Sequence, residues 1–469
     1  MTETNLETRH PDYKAQAIRY AEWNDFYQGG KSVEDDESYL PRHPYETEKQ
    51  HKIRKQRATY RNHAAPIVTV FSSSVWEKEP DRGNSFPDAL SELLEDVDRN
   101  RTSANQYFKH VTDRAAASGI HFVLVDSPKS AAQTLAEQRE QGVRPYFVDV
   151  PALNLVDWGF DEKGRLSYIV IYESVQMPTE PFHEHATEER YKVWRPDSWQ
   201  VWVDEGEGQE RVAVLKDEGV NPLGEIPLAA FIFERGSSRM VGVSCLDDVL
   251  SLCKRVYMRD SELDKALFDA AVEIACFFGF QEDELEAFTR SSSNGLRSEN
   301  TDARVEYAAP TGRVFEALRQ NISDDERSIK EIALRMVRPD SKQVESADSK
   351  REDRKQLDSQ LSRFSQNMAD GETRCWELAA KWLGLQNVDI EVQYNDEFDT
   401  EKISGDLARS FIALRQSRDL SRETLWQILK DNGILRPDFD PVEEAARIAA
   451  EGRANPAFDR LRSQLGAEE

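Results

Sequence analysis

The sequence is short of the features that most often identify a protein. Its 469 residues include only four cysteines, Cys245, Cys253, Cys276 and Cys375. None forms a CxxC pair, so buried, reduced thiols are expected rather than a disulfide framework or a thiolate metal site. No run of about 18 apolar residues occurs, which leaves no candidate for a membrane-spanning helix. Met1-Thr-Glu-Thr-Asn5 carries no basic or apolar leader pattern. The expectation is a soluble protein made in a reducing cytoplasm. Basic charge is in deficit, with 61 Lys and Arg against 87 Asp and Glu and a net charge of −26. That balance argues against a surface that grips nucleic acid or anionic lipid. Gly-x-Ser-x-Gly is missing too, and with it the signal for a nucleophile elbow.

Three local patterns resemble functional motifs and fall short of them. Gly30-Lys31-Ser32 ends like a phosphate-binding loop, but the position five before Gly30 is Asp25 and no apolar strand leads in. His183-Glu184-His185, with Glu188 and Glu189, has ligand-type residues, yet prolines flank it and no third histidine or cysteine is near. A solvated loop between strands is the simpler expectation, and no metal or other cofactor is expected. Glu46 to Asn62 reads as a strongly basic helix (His51, Lys52, Arg54, Lys55, Arg57, Arg61) that could meet phosphate or a neighbouring subunit.

What is present is an alternation of helical and strand-like periods. Asp88 to Ser118 has helical spacing (Leu90, Leu93, Leu94, Val97, Tyr107, Phe108, Val111), and Gly119 suits its C-cap. Ile120–Val125 and Pro145–Pro151 read as strands. Leu166–Tyr172, Arg190–Trp194 and Trp199–Val203 follow as a meander, and Pro227–Phe233 ends the β-rich block. From Leu246 to Phe278 the spacing predicts one helix of roughly 33 residues, about 50 Å long. A polar insert, Gln281–Arg313, separates it from a second helix over Val314–Arg335. A break around Pro339 precedes a third long helix, Ala347–Leu383. Val388–Tyr394 alternates like a strand. Lys402–Asn432 suggests two helices, and an acidic tail follows Pro437.

Several segments, in this order, resemble the portal (head-to-tail connector) proteins of tailed bacteriophages. They are Tyr39-Leu-Pro-Arg-His-Pro-Tyr-Glu46 with Arg54-Lys-Gln-Arg-Ala-Thr-Tyr-Arg-Asn62, Val150-Pro-Ala-Leu-Asn-Leu-Val-Asp-Trp158 with Gly164-Arg-Leu-Ser-Tyr-Ile-Val170, Asn221-Pro-Leu-Gly-Glu-Ile-Pro-Leu228 with Gly242-Val-Ser-Cys-Leu-Asp-Asp-Val-Leu250, Tyr307-Ala-Ala-Pro-Thr-Gly312, and Met336-Val-Arg-Pro-Asp340 running to Glu345-Ser-Ala-Asp-Ser-Lys350. The resemblance covers roughly residues 20 to 430. It implies an α+β fold with an N-terminal region and mixed α/β wing (1–241), a first stem helix (242–280), a clip (281–313), a second stem helix (314–336), a tunnel loop (337–346), a tunnel helix with a returning wing strand (347–400), and a helical crown with an acidic tail (401–469).

The function so implied is not enzymatic. Copies would form a ring, expected to be dodecameric, at one capsid vertex of a virion assembled in the host cytoplasm. Double-stranded viral DNA would pass through the channel on packaging and ejection, and no membrane would be involved. Partners implied are the major capsid protein, the terminase large subunit and the head-to-tail adaptor. The clip contact would fall at Ser291, Ser292, Ser293, Asn294 and Gly295. The tunnel loop would hold Arg338, Pro339, Asp340, Ser341, Lys342 and Gln343. The stem would pack through Leu246, Val249, Cys253, Val256, Leu263 and Leu267, between subunits or against the second long helix. Acidity suits such a channel, because phosphates slide past like charge, whereas a basic bore would hold them by counterion release. Two other readings stay open, a virion or scaffold protein without a channel and a metal-dependent hydrolase using His183, Glu184 and His185.

Overall fold

The computed structural model describes residues 5–83, 85–128, 143–206, 212–271, 274–281, 298–308, 313–335, 347–385 and 388–396, with scattered positions from 398 to 447. The chain divides into Met1–Asp396 and Glu397–Glu469. The first of these is a mixed α+β unit with antiparallel sheets, the class expected.

Its centre is a three-stranded antiparallel sheet in the order β2 (Tyr146–Pro151), β1 (Ile120–Asp126), β8 (Leu228–Ile232). The middle strand, Ile120-His-Phe-Val-Leu-Val-Asp126, is buried at every position but the last. Helix α6 (Ala104–Ser118) feeds it directly. Ser103 caps the helix start by accepting from the Gln106 N–H, and Gly119 ends it in the left-handed conformation at φ 78°. Gly242 opens β10 (Gly242–Val243), which pairs with β9 (Glu234–Arg235). A β-carbon on Gly119 would fall 2.4 Å from the Val243 carbonyl carbon, and one on Gly242 would fall 2.1 Å from the Gly119 oxygen. Two glycines therefore let two backbones cross where any side chain would separate them. Helix α9 (Ala347–Trp382) lies on this sheet. Its Gly371 sits against the Phe231 ring, and Phe108, Phe147, Phe231 and Trp376 pack edge-on or tilted, 5.1–6.1 Å between centroids. Each such ring contributes roughly 1.5–3 kcal/mol by leaving water.

A second sheet is a five-stranded antiparallel meander, β3 (Leu155–Phe160), β4 (Leu166–Gln176), β5 (Thr187–Trp194), β6 (Ser198–Glu205) and β7 (Val212–Val220). The expected meander is present, extended by a strand at each edge. Pro227–Phe233, read as the end of the β-rich block, supplies β8 of the central sheet.

The N-terminal helices are α1 (Pro11–Gln28), α2 (Lys31–Glu34), α3 (Glu48–Arg57) and α4 (Ala64–Val75). Tyr20, Trp23 and Phe26 on α1 recur every three residues and are buried. The basic helix is shorter than expected. A capping box between Thr47 and Gln50 starts it, and Ala58 is already extended.

Three further expectations are corrected. The pattern from Asp88 to Ser118 is not one helix. A turn α5 (Asp88–Ser91) and a 3₁₀ turn (Glu92–Glu95) precede α6, and Arg99 and Arg101 adopt positive φ in the polar stretch between. The first long helix, α7, spans Asp247–Ala271, and Ile274–Phe278 is strand β11, paired with β12 (Arg304–Ala308). A run of Ile, Cys and Phe satisfies strand and helix spacing alike, and the paired strand decides between them. Val388–Tyr394 forms no strand. Its one ladder contact is a bridge from Gln393 to Asp81.

Candidate functional site: the long-helix hairpin

Helix α7 and helix α8 (Arg313–Arg335) run antiparallel and pack together, with β11 and β12 at their far end. Their sequences explain the pairing. On α7, Val249, Leu250, Cys253, Val256 and Tyr257 form one apolar stripe, and on α8 Ile322 and Ile329 do the same. Leu246, Val249, Cys253 and Val256 are at most 2% exposed within the single chain. They are covered by elements of their own chain, since α8, α3, α1 and α4 all touch α7. Leu263 and Leu267, further along, are only half-buried. Burial pushes the Cys253 thiol up to about 12, so it is a packing group and not a nucleophile.

Beyond the apolar stripe the seam is ionic. Asp325 of α8 is buried and receives Arg255 through Nε at 3.0 Å and Nη2 at 2.6 Å, with Arg259 on the same carboxylate. Arg61 bridges to both helices, with Nη2 2.6 Å from Asp260 Oδ2 and Nη1 2.7 Å from Glu326 Oε1. Burial works against the charge on Arg61, but its bonds to Asp260 and the nearby Glu326 leave its pKa above the ordinary value. His63 lies 3.8 Å from the same Glu326, and burial holds its pKa below the ordinary value despite that carboxylate. Arg54, 5% exposed, binds Glu46 through Nε and Nη2 and reaches Ser261 of α7 at 3.1 Å.

These contacts define what the basic helix does. Arg54, Lys55, Arg57 and Arg61 are engaged by Glu46, by Glu37, by the Phe268 ring and by Asp260 respectively. The cluster that read as a possible phosphate surface is mostly a set of internal staples between the N-terminal segment and α7. Sequence reasoning missed that because the matching acids lie up to about 200 positions away.

The remaining candidates can be placed directly. His183, Glu184 and His185 are exposed in the β4–β5 loop, as expected, and among the described residues no three His, Cys, Asp or Glu side chains are set to hold a metal ion. Gly30-Lys31-Ser32 opens a helix of four residues after α1, without a preceding strand. Cys245, Cys253 and Cys375 are buried free thiols and Cys276 is partly exposed. No helix among the described residues is long and apolar enough to cross a membrane. The clip residues Ser291 to Gly295 and the tunnel-loop residues Arg338 to Gln343 lie outside the described residues.

Residues 246–383, from the start of α7 through α9, match the family described as Domain of unknown function (DUF4055). No curated protein matches. Among solved structures, the chain is similar to one from the neck of a native GTA particle computed with C12 symmetry, at 10% identity and a TM-score of 0.38, over 78% of this chain and 89% of that one. A chain from the virion of the native gene transfer agent (GTA) particle gives 11% identity, TM-score 0.38, and coverage of 80% and 86%. One from the neck of an empty GTA particle computed with C6 symmetry gives 11%, 0.37, and coverage of 79% and 89%.

Proposed function

We propose that this chain is the portal subunit of a tailed-phage-type particle, and that its copies stand in a closed ring at one capsid vertex. Double-stranded DNA passes through the opening during packaging and ejection. The observation that carries the reading is the α7–β11–β12–α8 hairpin, followed by α9. Helix α7 has 25 residues and α8 has 23, so the two rods are each about 35 Å long. Rods of that length, each covered on part of its circumference only, suit side-by-side packing about an axis, where one heterologous contact repeats until it closes. The net charge of −26 fits a conduit that does not hold phosphate.

In this reading the insert between β11 and β12, with Ser291 to Gly295, meets the terminase large subunit and later the head-to-tail adaptor. The segment holding Arg338, Pro339, Asp340, Ser341, Lys342 and Gln343 lines the bore. The major capsid protein surrounds the β3–β7 meander, the ring is a dodecamer, and no catalysis is assigned. Mass measurement of the purified protein, with negative-stain images, tests the reading. Rings with a central hole are expected, and a monomer or a solid particle at micromolar concentration overturns it.

A further inference from the structure

Resting on the ring reading, we infer that Arg319 of one copy docks against Glu262 of the next, in the cleft between α3 and α7. The cleft measures about 340 Å³, and the carboxylates lining it are Glu46, Glu262 and Asp269. Two of these are already matched, Glu46 by Arg54 and Asp269 by Lys265 at 2.6 Å. Glu262 is half-buried and has no ion-pair partner among the described residues. Tyr45 stands at the lip, 96% exposed. The cleft thus combines a free carboxylate, an uncovered aromatic ring and room for a long side chain. A planar guanidinium on a flexible stem meets all three requirements.

Helix α8 supplies that group. Arg319, Ser323, Arg327 and Lys330 form an exposed stripe off the α7 contact, and Arg319 has no ion-pair partner in its own chain among the described residues. Height along the hairpin selects the pair. Asp325 is bonded to Arg255 and Arg259, which fixes position 325 of α8 level with about position 257 of α7. Six residues down each rod from that level reach Arg319 on one and position 263 on the other. Arg319 and Glu262 are therefore level within about 1.5 Å along the axis. Rotation about an axis parallel to the hairpin keeps every copy at the same height. The α8 face of one copy can then meet the cleft side of α7 on its neighbour only at matching levels.

Charge reversal separates this contact from ring formation as such. Glu262→Lys and Arg319→Glu each set like charges together at every interface and should weaken assembly about tenfold or more per contact, read by mass photometry across a dilution series. Circular dichroism melts should show both variants folded. An equimolar mixture of the two single variants should reassemble, because alternating copies restore opposite charges at each junction. A chain carrying both substitutions should also reassemble. A wild-type protein that stays monomeric overturns the ring reading and this contact with it. Wild-type rings alongside variants that assemble equally well, or a mixture that fails to reassemble, overturn this contact alone.

Discussion

Replacing Arg82 by Ala should cost the first unit about 3–5 kcal/mol, because it strands a buried carboxylate. Glu372, about three turns before the end of α9, is completely inaccessible to solvent. Its Oε1 accepts from Arg82 Nε at 2.7 Å and from the Trp376 indole at 2.9 Å, and its Oε2 accepts from the Tyr394 hydroxyl. Arg82 supplies the only cation in this group. Without it, a fully buried carboxylate keeps its two neutral donors but loses its counter-charge. Tyr394→Phe removes one charge-assisted hydrogen bond and leaves the ion pair, so about 1.5–3 kcal/mol is expected. Burial beside Glu372 pushes the Tyr394 phenol well above its ordinary value, so it stays a donor at neutral pH. Arg82→Lys should fall below both, since Nε alone bonds Glu372 and the buried Nη2 has no partner to lose. Urea denaturation followed by tryptophan fluorescence gives the three midpoints. With total stabilities of order 5–15 kcal/mol, the Arg82→Ala shift is a large fraction of the whole. A midpoint for Arg82→Ala within error of wild type, or above that of Tyr394→Phe, would refute the argument that the pair is electrostatically closed.

Gly242→Ala should destabilise severely or prevent soluble expression, since its β-carbon would meet the Gly119 carbonyl, and a melt unchanged within 2 °C would contradict the crossing. For pH, His63 has a depressed pKa, so the unfolded chain binds its proton first and stability is lost as pH falls from about 6.5 through the folded value. His63→Gln should flatten that part of the melting-temperature profile, and an unchanged slope between pH 7 and 5 would reject the assignment. Deleting Ser291 to Gly295 should leave ring mass unchanged and weaken terminase binding in a pull-down, an outcome negated by normal motor binding. Changing Lys342 and Gln343 to Glu should preserve rings but alter DNA packaging or retention in infected cells, and equal packaged DNA in both strains would count against a bore-lining segment.

Parts of this architecture were legible because local pattern and tertiary fold agree. The turns before β4 and between β5 and β6 announce themselves through Gly164 and Pro196-Asp197-Ser198, and α6 through Ser103, its apolar spacing and Gly119. The reading failed where two periods fit the same residues. Ile274–Phe278 continues the α7 spacing, and only pairing with residues some 30 positions later makes it a strand. Val388–Tyr394 alternates as a strand should, but its neighbours in space leave it a single bridge. The hairpin was visible as apolar stripes. Its ionic seam was not, because Arg61, Asp260 and Glu326 carry no local pattern and meet only when three distant segments assemble. The same limit hid Arg54 and Arg82, whose type suggests surface but whose side chains turn inward to buried or partly buried partners.

The Asp81–Gln393 bridge has a consequence for how the protein comes into being. It joins segments about three hundred residues apart, and Asn395 adds a bond to the Ser74 carbonyl at the end of α4. A ribosome adding about 5–20 residues per second needs roughly 15–60 s to travel that distance. Through that interval the early helices exist without the strap that closes over them, and Trp76 lacks the Tyr394 ring it packs against. Birth of the first unit is thus a waiting process. A nascent chain stalled before residue 393 should be far more sensitive to protease around residues 74–82 than one stalled well after it.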